Sequence, residues 1–433
     1  MADTDGTDYD AIVIGGGPSG SAYAITLARS GRTVLVLERE AFPRFHIGES
    51  FLPFTAEILN QLGLLERVAA AGFAVKTGLE LCGGDKWVRR VAMADAGDPY
   101  WTWAPSVERS QFDQILLEAA AEEKGTTVLQ RAKVTEVSFS GERISGVRYT
   151  HDGEEHAATA KFVIDASGRA GVVARALGTR KTDGTLKMAA IFKHFSGVDE
   201  QYNPGVAGDT QIGVQEEGWL WAIPVRPTVI SVGAVAPAEQ LRKSRPEDIF
   251  AAYLDQQPRI KQRITGTEVH RDLSGEQNFE YHSDTLAGPG YFLIGDAGCF
   301  SDPVFSSGVL LALITGRRAA EETIRCLNEE IPEADAAARY ERFYKTGYET
   351  YYQLIRAHYD RRRPMLGQYL KDLFNDADAH TKYRVLALGG DFFTEDNPLV
   401  NRLRAEKEWS LFAPYEPLYG CPVYGDRVGS MAG

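Results

Sequence analysis

The clearest fold signal is the run Tyr9-Asp-Ala-Ile-Val-Ile-Gly-Gly-Gly-Pro-Ser-Gly20, in which an apolar, β-branched segment leads into the spacing Gly15-x-Gly17-x-x-Gly20. A helical segment follows to Arg29, and a second apolar run ends at Glu38. This order predicts a β-α-β dinucleotide-binding unit, with pyrophosphate at the helix N-terminus and the acid on an unphosphorylated ribose, as in FAD or NAD. The residues that we assign to the nucleotide are Gly15, Gly17, Pro18, Ser19, Gly20, Glu38 and Arg39.

Composition excludes several classes of partner. The chain has 433 residues, 44% hydrophobic and 25% charged, which predicts an ordinary soluble protein with more than one structural unit. A formal net charge of -13 argues against nucleic acid and anionic membranes, and no apolar run approaches the ~18–20 residues of a membrane span. The acidic, polar N-terminus is unlike a targeting peptide. The four cysteines lack the spacing of a metal or redox site; they are Cys82, Cys299, Cys326 and Cys421. We therefore predict a cytoplasmic protein without a bound metal.

A second turn between a strand and a helix lies further along the chain. The apolar run through Leu293 and Ile294 is stopped by Gly295-Asp296, and the turn Pro303–Gly308 precedes a helical run. The unpaired N–H groups at such a helix start attract an anion, and Gly308 lets a large group approach the backbone. Plain capping of the helix explains the same residues, so the pattern alone leaves both interpretations open.

The segment after the second strand resembles a group of flavoproteins. The run Glu40-Ala-Phe-Pro-Arg-Phe-His-Ile-Gly-Glu-Ser-Phe-Leu-Pro53 is similar to the flavin-binding part of FAD-dependent aromatic hydroxylases, geranylgeranyl reductases and flavin-dependent halogenases. The segments 107–117, 162–168 and 295–296 are also similar to this superfamily. The resemblance implies FAD as the cofactor, with contacts from Arg44, Gly48, Glu49, Ser50, Arg109 and Asp296.

The resemblance and the strand patterns together predict the fold class. We expect an α/β protein in which an FAD-binding, Rossmann-like domain of the aromatic hydroxylase type (residues 1–180 and 265–330) is interleaved with a β-sheet substrate domain (residues 75–110 and 181–264). Short alternating runs between residues 127 and 149 predict a β-meander. Residues 331–433 are expected to form a helical C-terminal region, with most of its tyrosine-rich stripe in the core.

Two motifs resemble flavin-dependent halogenases in particular. Residues 218–224 match W-x-W-x-I-P, and residues 300–308 match F-x-x-P-x-x-S-x-G. An aromatic strand closed by proline explains the first motif from the residues alone. The resemblance implies that Trp219, Trp221 and Pro224 form a wall that screens the flavin, that Pro303 and Gly308 contact the cofactor, and that Ser307 and Gly308 hold a halide.

Lys76 stands where halogenases carry their essential lysine, in the run Ala71-Gly-Phe-Ala-Val-Lys-Thr-Gly78. A single lysine is ordinarily a surface charge, so its assignment as the catalytic residue depends on the resemblance. A lysine in this role hydrogen-bonds hypohalous acid or becomes a haloamine, and delivers the halogen in a defined orientation.

Phe305 departs from the pattern of tryptophan-specific enzymes, which place a catalytic glutamate just before the serine of the loop. Free tryptophan is therefore not the expected substrate. The loop and residues 40–44 resemble the phenol- and pyrrole-modifying branch, several members of which act on carrier-tethered substrates. For an acidic carrier protein, a candidate basic docking site is Arg361, Arg362 and Arg363.

The implied function is halogenation of an electron-rich ring, a phenol or pyrrole, in secondary-metabolite biosynthesis. Hypohalous acid would form from O2 and chloride or bromide at the expense of FADH2, which a separate flavin reductase supplies. The FAD motifs are equally compatible with an FAD-dependent aromatic monooxygenase, and less so with a geranylgeranyl-reductase-like enzyme or a non-catalytic flavoprotein.

Overall fold

The computed structural model describes residues 8–96, 102–182, 186–202, 205–277 and 280–359, with positions 390, 405, 411–416 and 418. The strands are β1 Tyr9–Ile14, β2 Val34–Glu38, β3 Ala74–Lys76, β4 Gly78–Cys82, β5 Val88–Ala92, β6 Ala104–Ser106, β7 Thr126–Gln130, β8 Lys133–Ser140, β9 Arg143–His151, β10 Glu154–Asp165, β11 Arg180–Lys181, β12 Met188–Ser196, β13 Thr210–Gln215, β14 Gly218–Arg226, β15 Val229–Pro237, β16 Glu268–Gln277, β17 Tyr281–Ser283, β18 Ala287–Gly288, β19 Tyr291–Leu293 and β20 Cys299–Phe300. The helices are α1 Pro18–Arg29, α2 Pro53–Gln61, α3 Leu65–Ala70, α4 Arg109–Glu122, α5 Val172–Ala176, α6 Ala238–Lys243, α7 Pro246–Asp255, α8 Pro258–Arg263, α9 Gly308–Leu327 and α10 Glu333–Tyr359.

The first sheet is built on the predicted β-α-β unit. Its main order is β18-β19-β10-β1-β2-β7, and β1 pairs in parallel with both β2 and β10. Alternate residues of β1 and β2 enter two different apolar clusters, so both faces of the sheet are buried. Burial on both faces explains why these strands are continuous apolar runs.

The predicted meander is only partly right. Strands β8, β9 and β10 form an antiparallel meander, as expected. The preceding strand β7 lies instead beside β2, in parallel with it, because α4 carries the chain back across the sheet. A parallel partner requires such a crossover, which short alternating runs do not reveal.

The second sheet has seven strands in the order β16-β12-β15-β14-β13-β4-β5. Its strands come from two separate parts of the chain, residues 78–92 and 188–277, with strands of the first sheet between them, which confirms the interleaved α/β architecture. Strand β16 lies within the range that the sequence assigned to the FAD-binding part, but it pairs with β12 along its length. The return to the first sheet therefore follows residue 277 rather than residue 264.

Close packing of α1 against α9 positions the two helix starts. A Cβ atom on Gly316 would lie 2.3 Å from the backbone oxygen of Ser19, so only glycine permits this approach. Gly295, with φ +53°, is packed against Ser19 and α9 in the same way. As a result, the N-termini of α1 and α9 open toward one region of the molecule.

The tyrosine-rich stripe of α10 is buried, as predicted, and its hydroxyl groups have a second task. The Tyr340 hydroxyl donates to the Leu293 carbonyl at 2.8 Å, and the Tyr348 hydroxyl donates to the Phe300 carbonyl at 3.2 Å. Between them, the Tyr344 hydroxyl donates to the Gly295 carbonyl. Helix α10 thus holds the segment from β19 to β20 along its length.

In the part of the chain that the structure describes, no helix is long and apolar enough to cross a membrane. The candidate basic docking site at residues 361–363 lies outside the described residues.

Candidate active site

A cavity of about 1010 Å³ is enclosed by both sheets and by the loop before α9. The structure brings most of the predicted site residues to its surface. Those that line it are Gly15, Gly17, Pro18, Ser19, Glu38, Arg39, Arg44, Gly48, Glu49, Ser50, Arg109, Trp219, Trp221, Asp296, Pro303, Ser307 and Gly308. Gly20, Lys76 and Pro224 are not among the described residues that line it.

The glycine turn is held in shape by close backbone contacts. Gly15 has φ +108°, and a Cβ on Gly20 would lie 2.0 Å from the Gly15 oxygen. Gly20 therefore serves packing within the turn, which explains its place behind the cavity surface. The Glu38 carboxylate accepts hydrogen bonds from the Gly16 N–H at 2.8 Å and the Glu40 N–H at 2.9 Å. Glu38 thus braces the turn in addition to lining the cavity.

Arg109 supports the flavin-motif segment from behind. Its guanidinium forms a bidentate pair with Asp113 at 2.7 and 2.9 Å, and donates to the carbonyls of Ile47 and Gly48. Arg44 approaches the same carboxylate at 3.4 Å. One buried aspartate therefore orients both arginines, and Arg109 fixes the turn that carries Glu49 and Ser50.

Lys76 is buried, with a 4% exposed side chain, at the end of β3. Its Nζ donates a 2.7 Å hydrogen bond to Ser50 Oγ, which lies 3.3 Å from Thr210 Oγ1. Ser50 and Thr210 both line the cavity, so the amine stands directly behind its wall. Burial lowers the pKa of the Lys76 amine to about 7, although the negative charge of Asp209 raises it. A neutral amine is therefore available near neutral pH.

Glu49 and His194 form a buried pair at another part of the wall. The distance from His194 Nε2 to Glu49 Oε1 is 2.5 Å. The other carboxylate oxygen, Glu49 Oε2, has no protein partner among the described residues. The sequence assigned Glu49 to the cofactor but had no signal for His194, which comes from β12 of the second sheet.

The loop before α9 is tied to the aromatic wall by a chain of hydrogen bonds. Trp219 Nε1 donates to the Tyr359 hydroxyl at 2.8 Å, and that hydroxyl donates to Asp302 Oδ2, also at 2.8 Å. Asp302 Oδ1 accepts from the Val304 N–H at 3.0 Å. Because an indole can only donate, the direction of this chain is fixed and ends on the carboxylate. Burial raises the pKa of Asp302 to about 7, although the Tyr359 hydroxyl and the Val304 N–H lower it.

The N-terminus of α9 is open. Ser307 is its N-cap residue, and no side chain of the described residues caps the helix. A Cβ on Gly308 would meet nothing within 4 Å, so the backbone there is approachable. Ser306 adopts a left-handed conformation, with φ 55°, which turns the chain into the helix. The helix start is therefore accessible to an approaching group, and anion binding at this turn stays a prediction.

Asp302, Tyr359 and His194 are the polar groups that sequence reasoning missed. Asp302 lies inside the loop at residues 300–308, and an aspartate directly before a proline at a helix start was the available signal. The other two could not be found, since Tyr359 is 57 residues from Asp302 in the chain and His194 is 145 residues from Glu49.

A parallel sheet with an open glycine turn, joined to a second sheet around one cavity, defines a dinucleotide-binding protein of the FAD or NAD class. The comparisons with known proteins name the family. The Tryptophan halogenase family matches residues 10–93 and 85–397. The sequence is 33% identical over 358 residues to a tryptophan 2-halogenase of Chondromyces crocatus, covering 81% of this chain and 67% of that one.

A second relative carries a different activity in its name. It is the 1H-pyrrole-2-carbonyl-[peptidyl-carrier protein] brominase of Pseudoalteromonas luteoviolacea, 33% identical over 318 residues, or 72% of this chain and 76% of that one. Among solved structures, the flavin-dependent brominase Bmp2 matches with a TM-score of 0.82 at 30% identity, over 92% of this chain and 98% of that one.

The chain belongs to the tryptophan halogenase family and is a flavin-dependent halogenase. Membership favours halogenation over the monooxygenase, reductase and non-catalytic alternatives that the FAD motifs alone allowed. The cavity fits FAD by two observations of this chain. A Cβ atom on Gly17 would contact only Arg44 Nη2, at 3.4 Å, and a Cβ atom on Gly308 would contact nothing within 4 Å. The backbone of both turns is therefore accessible to a cofactor. The α1 turn would hold the pyrophosphate, and the α9 turn the flavin end.

Proposed function

We propose that this enzyme halogenates a phenol or pyrrole ring, presented as a thioester on a carrier protein, with Lys76 delivering the halogen. FAD, when bound and reduced, would give two electrons to O2, and chloride or bromide would give two more, so that the products are oxidised FAD, hypohalous acid and water. A separate flavin reductase supplies the reduced cofactor, and the enzyme works in the cytoplasm. The single observation that carries the proposal is the buried lysine, held by Ser50 at the cavity wall with a pKa of about 7.

The chemistry of Lys76 follows from its protonation state. A neutral amine either donates a hydrogen bond that orients hypohalous acid or reacts with it, forming an N–X bond and releasing water. An electron-rich ring carbon then takes the halogen, and the amine is regenerated as the ring loses its proton. Trp219 and Trp221 line the cavity on the second sheet. We expect them to keep the ring away from the flavin end and near the lysine.

The halide is assigned to the open N-terminus of α9, at Ser307 and Gly308. Two N–H groups in the first turn of a helix, with the helix dipole behind them, suit a small anion. Phe305 occupies the position of the acid in tryptophan-specific enzymes, and it packs near His358 with ring centroids 6.5 Å apart. Without that acid, an activated phenol or pyrrole is a better substrate than tryptophan. The carrier-bound form is supported by the name of the pyrrole brominase relative.

The test is turnover with reduced FAD, O2 and chloride or bromide on a panel of free phenols, free pyrroles, tryptophan and pyrrole-2-carbonyl thioesters. Products are identified by mass and halogen isotope pattern. We expect halogenated pyrrole thioester and no halogenated tryptophan. Halogenation of tryptophan alone, or of thioester by a Lys76→Met variant that binds FAD normally, would contradict the proposal.

A further inference from the structure

One face of the second sheet continues beyond the cavity to an exposed edge. Ile212 of β13 lines the cavity and is paired with Trp221 on one side and Leu81 on the other. Leu81 is paired in turn with Arg89 of β5. Directly paired residues project from the same face of a sheet. Arg89 therefore lies on the cavity face, two strands outward from Ile212.

A parallel row runs beside the first. Thr210, which lines the cavity and contacts Ser50, is paired with Leu79, and Leu79 with Val91. Leu79, Leu81 and Val91 are half-buried, and Arg89 is exposed. We call Leu79, Leu81, Arg89 and Val91 the β4–β5 strip. It is apolar next to the cavity and cationic at its outer end, about 10 Å from Ile212 at strand spacings of about 4.8 Å.

The opposite face of the same strands is closed. Glu80 pairs with Arg259 at 2.5 Å and accepts from Gln211 at 2.6 Å. Arg90, next to Arg89, is held by Asp209 at 2.6 Å. In the described part of the chain, by contrast, Arg89 and Lys86 have no ion pair. Among the described residues, the outer end of the strip thus presents on the cavity face a guanidinium without an ion pair.

The hairpin tip beside Arg89 has the composition of an interface. Trp87 is 45% exposed and Val88 is 48% exposed. Lys86 and Arg89 flank them and the exposed Asp85 precedes Lys86, so the tip has two basic residues and one acidic residue on a chain whose net charge is -13. Tryptophan and arginine are the residues that contribute most to binding at protein interfaces. Basic residues here are complementary to an acidic partner, whereas most of this protein would repel one.

We infer that the β4–β5 strip receives the arm of a carrier-tethered substrate, that Arg89 binds its phosphate, and that the Lys86–Val88 tip contacts the acidic carrier domain. A carrier protein presents its substrate on a phosphopantetheine arm, which is slender and has one phosphate at the protein end. The strip has the same order as the arm. The reacting ring enters the cavity past the apolar residues, and the phosphate, the one charged group of the arm, lies at Arg89. The assignment rests on the carrier-tethered substrate of the proposed function.

The test compares three substrates with one acyl group: pyrrole-2-carbonyl pantetheine, pyrrole-2-carbonyl phosphopantetheine and the pyrrole-2-carbonyl carrier protein. Steady-state halogenation is measured for the full-length enzyme and for Arg89→Ala. We expect KM to rise at least fivefold for the two phosphorylated substrates, with kcat unchanged, and by less than twofold for the pantetheine thioester. Arg89→Lys restores part of the affinity. Arg242→Glu, an exposed charge reversal on α6, leaves all three constants unchanged.

A second variant separates the carrier surface from the phosphate. Trp87→Ala should raise KM for the carrier substrate only. If Arg89→Ala changed the KM of all three substrates equally, or of none, the assignment would be overturned. If the wild type halogenated free rings but no thioester, the carrier-tethered substrate itself would be lost, and this inference with it.

Discussion

Lys76 and Asp302 are both buried at the cavity, yet burial moves their pKa values in opposite directions. The Lys76 amine falls from 10.5 to about 7, and the Asp302 carboxyl rises from 3.8 to about 7. Each has one hydroxyl partner, Ser50 for the lysine and Tyr359 for the aspartate. In each case desolvation disfavours the charged form, so both groups change protonation near the same pH, the amine being neutral above it and the carboxyl below it.

The difference between them lies in the partners. Ser50 accepts from the lysine, and an accepting hydroxyl leaves the amine free to lose its proton. The Tyr359 hydroxyl accepts a hydrogen bond from the Trp219 indole, so it donates its own proton to Asp302. A donated hydrogen bond favours the ionised form of the Asp302 carboxyl. We therefore expect Lys76 to act as a reactive group, and Asp302 to hold the loop and wall together.

Replacing Lys76 tests whether its amine takes part in the reaction, and it should have the largest effect on the halogenation rate. Lys76→Met keeps the length and apolar stem of the side chain and removes the amine. We expect halogenation to fall by about 100-fold or more, the scale of a positioned proton-transfer or nucleophilic group. FAD binding, measured by flavin fluorescence, should not change. Lys243→Met, a lysine exposed on α6, is the matched control, and equal losses in the two variants would refute the assignment.

The same substitution should stabilise the protein. Between pH 7 and pH 10.5 the unfolded chain binds a proton on Lys76 that the folded chain does not, so the free energy of unfolding of the wild type rises with pH in this window. Lys76→Met removes that dependence. Relative to the wild type, the free energy of unfolding of Lys76→Met should be higher by at most roughly 5 kcal/mol at pH 7 and below. The difference should vanish toward pH 10.5. Urea unfolding across this range measures it; a gain that does not depend on pH would mean the amine is charged when folded.

Tyr359→Phe tests the hydrogen-bond chain that joins Trp219 to Asp302. Loss of the hydroxyl leaves Trp219 Nε1 and Asp302 Oδ2 without their partner, which should cost about 1–3 kcal/mol of stability. It also raises the pKa of Asp302 further. The folded state then binds more protons than the unfolded state to a higher pH, so the loss should be larger at pH 8 than at pH 6.

The control for this variant is Tyr348→Phe. It removes another buried hydroxyl from α10, one that donates to the Phe300 carbonyl and not to a carboxylate. Its stability loss should be the same at pH 6 and pH 8. If both variants behaved alike, the Tyr359 hydroxyl would have no special relation to Asp302.

Ser50→Ala should have the smallest effect. The amine stays in place but loses its acceptor, and one hydrogen bond of this kind is worth about 1 kcal/mol. We expect kcat to fall a few-fold, with Ser50→Thr restoring most of it. A loss as large as that of Lys76→Met would show that Ser50 itself takes part in the chemistry.

Local sequence was sufficient for the parts of the fold that depend on short segments. The glycine turn, the start of α9 and strands β12 to β15 each follow from residues within about a dozen positions of one another. The family resemblance added Lys76 and the wall tryptophans, which the residues alone would assign to the surface and to the core. Strand β7 was misplaced because its parallel partner is reached by a crossover that leaves no local pattern. Strand β16 pairs antiparallel with β12, which is distant in the chain, so its partner is not visible locally either.

What the sequence by itself determined, then, is the set of chemical parts: an FAD turn, an open helix start, an aromatic wall and one lysine. Only the tertiary structure decided how they act together. It buried Lys76 behind Ser50, joined Trp219 to Asp302 through Tyr359, and extended the cavity face to Arg89. The physical reason is that pKa and hydrogen bonding depend on desolvation and on partners far away in the chain, whereas turns and strands depend on near neighbours.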